Sequence, residues 1–273
     1  MFRQCKKALC LFLFLPLCRM TPEIKIEGKF KYIEKGEGPV LLSLHGLFGA
    51  LSNFSDLFNH FSGKFKVLIP LMPIYDLPLE DTNVKSLAAF IKDFIDFKGL
   101  EKVNLLGNSL GGHVGLVYTV ANPAKVNLLI LTGSSGLYEN AFGGSFPRRE
   151  DKTFIRDRVA YTFFNPKHAS DELVDEVFSL VNDREKLVRI LALAKSAIRH
   201  NMAEELHTIK CPVCLIWGKQ DTITPPEVAE DFHKLLPNNE LFWIDECGHA
   251  PMMEQPLIFN SILDTWLGYQ KTQ

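Results

Sequence analysis

No stretch of the 273 residues stays apolar for the ~18 residues a membrane-spanning helix needs, which excludes a polytopic membrane protein. Cysteine is scarce: six in all, three of them (Cys5, Cys10, Cys18) near the N-terminus, too few for a disulfide scaffold. Neither sign of charge accumulates, with 30 lysines and arginines against 32 acids and a formal net charge of −2. No block of like charge stands out, so no nucleic-acid partner is expected. Glycine and proline, at 18 and 15, are not enriched, and no repeat or low-complexity linker is visible. What remains is a globular composition, 47% apolar and 23% charged, with 21 phenylalanines to fill a core. At roughly 150 residues per domain, this length suits one large domain or one core carrying a large insertion.

Residues 1–19 read differently from the rest. Arg3, Lys6 and Lys7 precede the apolar stretch Ala8–Leu17, which has the length of a signal-peptide core and is too short to span a bilayer. No small-x-small cleavage site follows, and strand patterning begins only after Met20. The segment is therefore read as an N-terminal extension, with a targeting role as the alternative. The expected location is cytoplasmic, with export or membrane anchoring through residues 1–19 as the alternative, and no integral membrane role is expected. Cys211 and Cys214 have the C-x-x-C spacing of redox or metal pairs, but they lie in the strand-like run Cys211-Pro212-Val213-Cys214-Leu215-Ile216-Trp217. Strand residues three apart face opposite sides, so buried strand cysteines are the expectation.

Strand and helix patterns alternate along most of the chain. A hairpin is expected around Gly28. Short strands follow at Val40–Leu44, Lys66–Pro70, Val103–Leu106, Val126–Thr132, Val213–Trp217 and Leu241–Ile244. Helices are expected at Leu51–Phe61, Val84–Phe97, Leu110–Ala121, Glu227–Leu236 and Leu257–Leu267. Short connections between strand and helix imply a parallel sheet covered on both faces. Between Gly133 and Thr208 the strand rhythm stops. Lys152–Phe164, Ser170–Val181 and Arg184–Arg199 read as helices after a loop around Gly143-Gly144 and Pro147-Arg148-Arg149. The expected organisation is a core of residues 20–136 and 208–273 with a helical cap over 137–207.

Gly107-Asn108-Ser109-Leu110-Gly111 fits the G-x-S-x-G elbow, and it follows a predicted strand and opens a predicted helix. The glycines allow a tight turn that lifts the Ser109 hydroxyl out of the sheet. The Leu110 N–H then sits at a helix N-terminus, which favours an anion. A serine hydroxyl needs a base, and a base needs an acid to hold its tautomer. His249, in Cys247-Gly248-His249-Ala250, follows the last predicted strand. Asp221, in Trp217-Gly218-Lys219-Gln220-Asp221, follows the one before it. Both would reach the carboxyl edge of the sheet, where Ser109 lies. His45 is expected to be structural, hydrogen-bonded beneath its loop. His113, inside the helix after Ser109, is expected to pack and not to serve as the base.

These residues resemble the α/β-hydrolase superfamily over about residues 23–268. The resemblance rests on His45-Gly46-Leu47-Phe48-Gly49, Gly107-Asn108-Ser109-Leu110-Gly111-Gly112, Trp217 through Asp221, and Gly248-His249-Ala250-Pro251 followed by Glu254-Gln255-Pro256. It is closest to the capped single-domain branch, which holds esterases, proline iminopeptidases, meta-cleavage-product hydrolases, haloperoxidases and dehalogenases. It implies a mostly parallel eight-stranded α/β sheet, helices on both faces and a helical cap insertion. It also implies a triad of Ser109, Asp221 and His249, with the Leu47 and Leu110 N–H groups as the oxyanion hole. No cofactor or metal is called for, and the partner is a small-molecule substrate. Serine at 109 argues against the dehalogenases, whose nucleophile is aspartate. The first reading is hydrolysis of a small, partly apolar ester through an acyl-enzyme. The alternatives are a carbon–carbon bond hydrolase, in which Arg184 or Arg189 would hold a substrate carboxylate, and a ligand-binding protein of the same fold. Carbon–carbon hydrolases usually place tryptophan after the histidine, and here Ala250 stands there.

Overall fold

The structure is a computed structural model that describes residues 23–48, 51–140 and 148–270. Residues 1–19, the loop around Gly143-Gly144 and Gly49 lie outside the described residues.

The hairpin around Gly28 consists of β1 (Lys25–Glu27) and β2 (Phe30–Lys35), paired antiparallel. Six further strands follow: β3 (Val40–Leu44), β4 (Lys66–Pro70), β5 (Val103–Asn108), β6 (Val126–Thr132), β7 (Val213–Gly218) and β8 (Asn239–Ile244). They form one eight-stranded sheet in the order β1-β2-β4-β3-β5-β6-β7-β8. All pairings from β4 to β8 are parallel, and β2 joins β4 antiparallel. The strand order reverses between β3 and β5, which opens a crevice at their carboxyl ends.

β5 and β7 are buried along their whole length, as continuous apolar runs require when both sheet faces are covered. Alternate residues feed two separate cores. Leu105, Leu215 and Trp217 join one, with α2 (Val84–Phe97), α3 (Leu110–Ala121) and α7 (Pro226–Leu235) packed over them. Leu106, Cys214 and Ile216 join the other, beneath α1 (Ser55–Phe61) and α9 (Pro256–Gln270). Cys214 is buried in that second core. Cys211, partly buried, packs against the first, and both thiols are free.

Among the described residues, three α-helices lie between β6 and β7: α4 (Lys152–Ala160), α5 (Asp171–Asn182) and α6 (Arg184–Arg199). Side-chain caps start each of them. Asp151 accepts from Thr153 N and Phe154 N, Ser170 from Leu173 N, and Asp183 from Glu185 N and Lys186 N. Two helix bounds differ from the sequence expectation. The Leu51 segment begins as a 3₁₀ turn, Leu51–Phe54, before α1. α4 stops at Ala160 instead of continuing to Phe164: Thr162 N and Phe163 N turn back to the carbonyls of Val159 and Ala160, and the Phe164 N–H goes to the Glu254 carboxylate at 2.8 Å. Phe164, just past the helix end, is 45% exposed. Pro251–Glu254 adds a short helix, α8, that the pattern did not suggest. No helix among the described residues is long and apolar enough to cross a membrane.

On the β2–β4 side, Glu34 gathers Lys66 at 2.9 Å, Lys98 at 3.1 Å and Lys25 at 3.4 Å. Its side chain is 14% exposed. Burial works against the charged form, but the bonds and charges of Lys66 and Lys98 outweigh it and hold the carboxyl at about 2 instead of 4.5. A depressed carboxylate stabilises the fold above its unfolded value of 4.5 and loses that contribution as pH falls through about 2. Glu34→Gln should therefore lower stability at neutral pH by about 2 kcal/mol. Denaturant midpoints at pH 7 and pH 3 check this: the gap to wild type should narrow at the lower pH.

Candidate active site

Ser109 is the residue between β5 and α3, with φ 55° and ψ −123°. A non-glycine residue in this left-handed region carries strain of about 1–3 kcal/mol. The turn is held by close packing. A Cβ on Gly111 would stand 2.1 Å from the Leu44 carbonyl oxygen at the end of β3, so only glycine lets the helix start this near the sheet. The Ser109 carbonyl accepts from Gly112 N and His113 N in the helix and from Ser135 N beyond β6.

Asp221 and His249 arrive from the ends of β7 and β8. Asp221 is 3% exposed and His249 6%. His249 Nδ1 lies 2.9 Å from Asp221 Oδ2 and 3.2 Å from Oδ1. A carboxylate only accepts, so the Nδ1 proton is donated to Asp221 and Nε2 is left with its lone pair. Asp221 is fixed in turn by Ile223 N at 2.8 Å, Thr224 N at 2.9 Å and the Thr224 hydroxyl at 2.8 Å. Burial alone would lower the His249 value. The Asp221 charge and hydrogen bond, aided by Glu139 and Glu254, outweigh it and raise the imidazole above its ordinary 6.5.

Ser109, Leu110, Leu47 and His249 line a single cavity of about 130 Å³. Much of its remaining wall is apolar and comes from the segment between β6 and β7, including Val159, Phe163, Leu173, Val177, Ala194 and Ala197. Leu110 is the first residue of α3, so its N–H belongs to the unpaired first turn. The loop carrying Leu47 is tied by the Tyr75 hydroxyl, which donates to the Leu47 carbonyl at 3.1 Å.

The other sequence candidates fall elsewhere. His45 donates from Nδ1 to Gly46 O at 2.9 Å and accepts from Met72 N on Nε2 at 3.0 Å, a structural role beneath the loop. Burial lowers its basicity, in keeping with this neutral tautomer. His113 Nε2 meets His200 Nδ1 at 3.0 Å, linking α3 to the end of α6. Arg189 is turned away, its Nε donating to Leu77 O at 2.8 Å, and neither it nor Arg184 lines the cavity. The arginine that does is Arg158, on the last turn of α4.

Four residues with clear roles carried little local signal. Asn108, the variable position of the elbow, donates to Thr132 O at 2.9 Å and His249 O at 3.1 Å, tying the His249 loop to the sheet. Gly133, at φ 49°, leaves room for the His249 ring, which a Cβ would approach to 2.9 Å at Nδ1. Glu254 is 7% exposed and accepts from Gly248 N and Phe164 N, both at 2.8 Å. Glu139 stands in the cavity wall, accepting from the Ser135 hydroxyl. The motif Glu254-Gln255-Pro256 was visible in the sequence, but its partners are distant along the chain.

Ser109, on a strained strand-to-helix turn, and the buried His249 of the histidine–aspartate pair thus line one cavity of a mostly parallel sheet. The model of the Alpha/beta hydrolase family matches residues 40–261. The chain belongs to the α/β hydrolases. A solved α/β hydrolase enzyme from the metagenome of sediments of the Mar Chica lagoon, Morocco, is 48% identical to this hydrolase. That match covers 91% of this chain and 99% of the other, with a TM-score of 0.76. The 2-hydroxy-6-oxononadienedioate/2-hydroxy-6-oxononatrienedioate hydrolase 1 of Dechloromonas aromatica (strain RCB) is 27% identical over 64% of this chain, and the match spans 65% of that protein. The monoacylglycerol lipase ABHD6 of Mus musculus is 25% identical, over 81% of this hydrolase and 73% of the lipase. Lipases and meta-cleavage-product hydrolases thus both stand among its relatives.

Proposed function

We propose that this hydrolase cleaves small, partly apolar esters or related acyl compounds with Ser109 as nucleophile, His249 as base and Asp221 as the orienting acid. Ser109 Oγ attacks the carbonyl carbon while His249 Nε2 takes its proton. The oxyanion forms against the Leu47 and Leu110 N–H groups. Collapse expels the alcohol, which leaves with the proton from His249. Water, deprotonated by the same nitrogen, then attacks the acyl-enzyme and frees the acid and Ser109. The observation that carries this reading is the buried His249–Asp221 pair opening, with Ser109, into one largely apolar cavity.

The segment 137–207 acts as the cap and sets the choice of substrate, through Val159, Phe163, Ala194 and Ala197 in the cavity wall. At about 130 Å³ the space is near that of engineered cavities that take a benzene ring. A fluorophosphonate should label Ser109, and kcat/KM on para-nitrophenyl esters should peak at short acyl chains, about two to six carbons. A steady rise toward long chains would reject the small-substrate reading. Carbon–carbon hydrolysis is the second reading, favoured by the Dechloromonas relative and by Arg158 in the wall, which could hold a carboxylate. A vinylogous diketo acid assayed beside the esters separates the two.

A further inference from the structure

Glu139 has no part in the reaction sequence above. It follows β6, and its carboxylate faces the same cavity as Ser109 and His249. Its neighbours fix it there. Asn140 N donates to Ile223 O at 2.7 Å, and the Asn140 amide donates to Thr222 O at 3.2 Å, so the chain is pinned against the loop that bears Asp221. Ser135, whose own N–H donates to the Ser109 carbonyl, gives its hydroxyl proton to Glu139 Oε2. Among the described residues that hydroxyl is the one donor to this carboxylate, and the residue lines the cavity. The His249 Nδ1 proton is committed to Asp221, so Glu139 is not the acid of the pair.

A carboxylate in a mostly apolar wall is costly unless a donor meets it. Burial raises the Glu139 carboxyl, and the Ser135 hydroxyl and the nearby His249 only partly offset this. A carboxylate with one donor among the described residues can take a further hydrogen bond from what binds in the cavity. We propose that Glu139 is the specificity-determining residue of this site, accepting a hydrogen bond from a hydroxyl or ammonium group on the substrate and disfavouring substrates that carry a carboxylate there. Both donor types share this chemistry. An ammonium adds charge attraction, which a glutamine at 139 would remove, whereas a hydroxyl needs only an acceptor, which glutamine keeps. Arg158 is the opposing charge in the wall. It sits on α4 with its guanidinium carbon 6.0 Å from the half-exposed Tyr161 ring. If Arg158 governed selection, carboxylate esters would be preferred.

The inference rests on the serine-hydrolase reading for turnover but not for binding, and the test uses both. kcat/KM is measured by proton release for ethyl butyrate, ethyl 3-hydroxybutyrate, ethyl 3-aminobutyrate, 2-hydroxyethyl butyrate and monoethyl succinate. Wild type, Glu139→Gln and Glu139→Leu are compared, each checked for folding by its thermal midpoint. At least one donor-bearing ester should exceed ethyl butyrate, and monoethyl succinate should fall below it. Glu139→Leu should erase the donor advantage by about 10-fold. Glu139→Gln should keep it for the hydroxy esters and lose it for the amino ester. The same ligands are titrated calorimetrically into Ser109→Ala and into Ser109→Ala with Glu139→Leu. If the esters bind with this ranking yet wild type turns none over, the serine-hydrolase reading fails and the Glu139 assignment stands. If Glu139→Leu leaves the ranking unchanged in both assays, or if monoethyl succinate ranks first in wild type, the Glu139 assignment is overturned.

Discussion

Ser109→Ala should abolish ester turnover, lowering kcat by roughly 10³-fold or more and leaving only what binding and the oxyanion donors contribute. Alanine inherits the same φ of 55°, so it neither relieves nor adds backbone strain, and the thermal midpoint should stay close to wild type. Ser109→Gly is the informative companion. It is equally inactive but free of the left-handed penalty, and it should gain about 1 kcal/mol despite glycine's greater freedom when unfolded. Activity assays and denaturant melts on the two variants separate chemistry from strain. Near-wild-type turnover in either would reject Ser109 as the nucleophile.

Asp221→Asn should cost roughly 10³- to 10⁴-fold in kcat with the fold retained. The side-chain oxygen of asparagine can still accept from Ile223 N and Thr224 N, so the loop keeps its shape. Its amide then points toward His249 Nδ1 as a donor, which selects the tautomer with the proton on Nε2 and leaves no base for Ser109. The pH profile gives a second signature. In wild type the acid limb of kcat/KM should lie above 6.5, because His249 must shed its Nε2 proton from an imidazolium that the Asp221 charge stabilises. The residual activity of Asp221→Asn should show that limb displaced to lower pH. The same raised value means the charged pair stabilises the fold below 6.5 and loses that contribution as pH rises through the folded value. An unshifted limb would mean that a different group titrates.

Much of the sheet could be read in the chain because its central strands are short, largely buried apolar runs bounded by turn residues. Val40–Leu44, Lys66–Pro70 and Val126–Thr132 fall at their expected bounds, as do the helices Val84–Phe97, Leu110–Ala121 and Arg184–Arg199. Strand ends place side chains at one edge, so Ser109, Asp221 and His249 could be brought together by topology alone. The end of α4 could not, since Phe163 and Phe164 continue the apolar period past the point where Glu254 takes the Phe164 N–H. Glu139 was equally hidden. Its segment has no motif, and its meaning comes from a cavity assembled by residues more than a hundred positions apart. The pocket arginine was misplaced for a related reason. Arg184 and Arg189 lie within the expected cap, but neither lines the cavity: Arg189 is occupied by the Leu77 carbonyl, and Arg158 lies in the wall on an earlier helix.

The chain just beyond α4 makes three bonds in four residues, to the loops that carry Asp221 and His249 and to α8. Tyr161 O accepts from the Thr222 hydroxyl at 2.8 Å, and Thr162 O accepts from His249 N at 3.0 Å. Phe164 N and Gly248 N share the two oxygens of Glu254. Covering the cavity and setting the imidazole are therefore one mechanical event. A displacement of this stretch large enough to admit a bulky molecule must break bonds that hold His249 and Asp221 in register. On the proposed reading, with His249 as the base, catalysis would then require the enclosed state, and water entering an open cleft would meet a serine whose base has lost its footing.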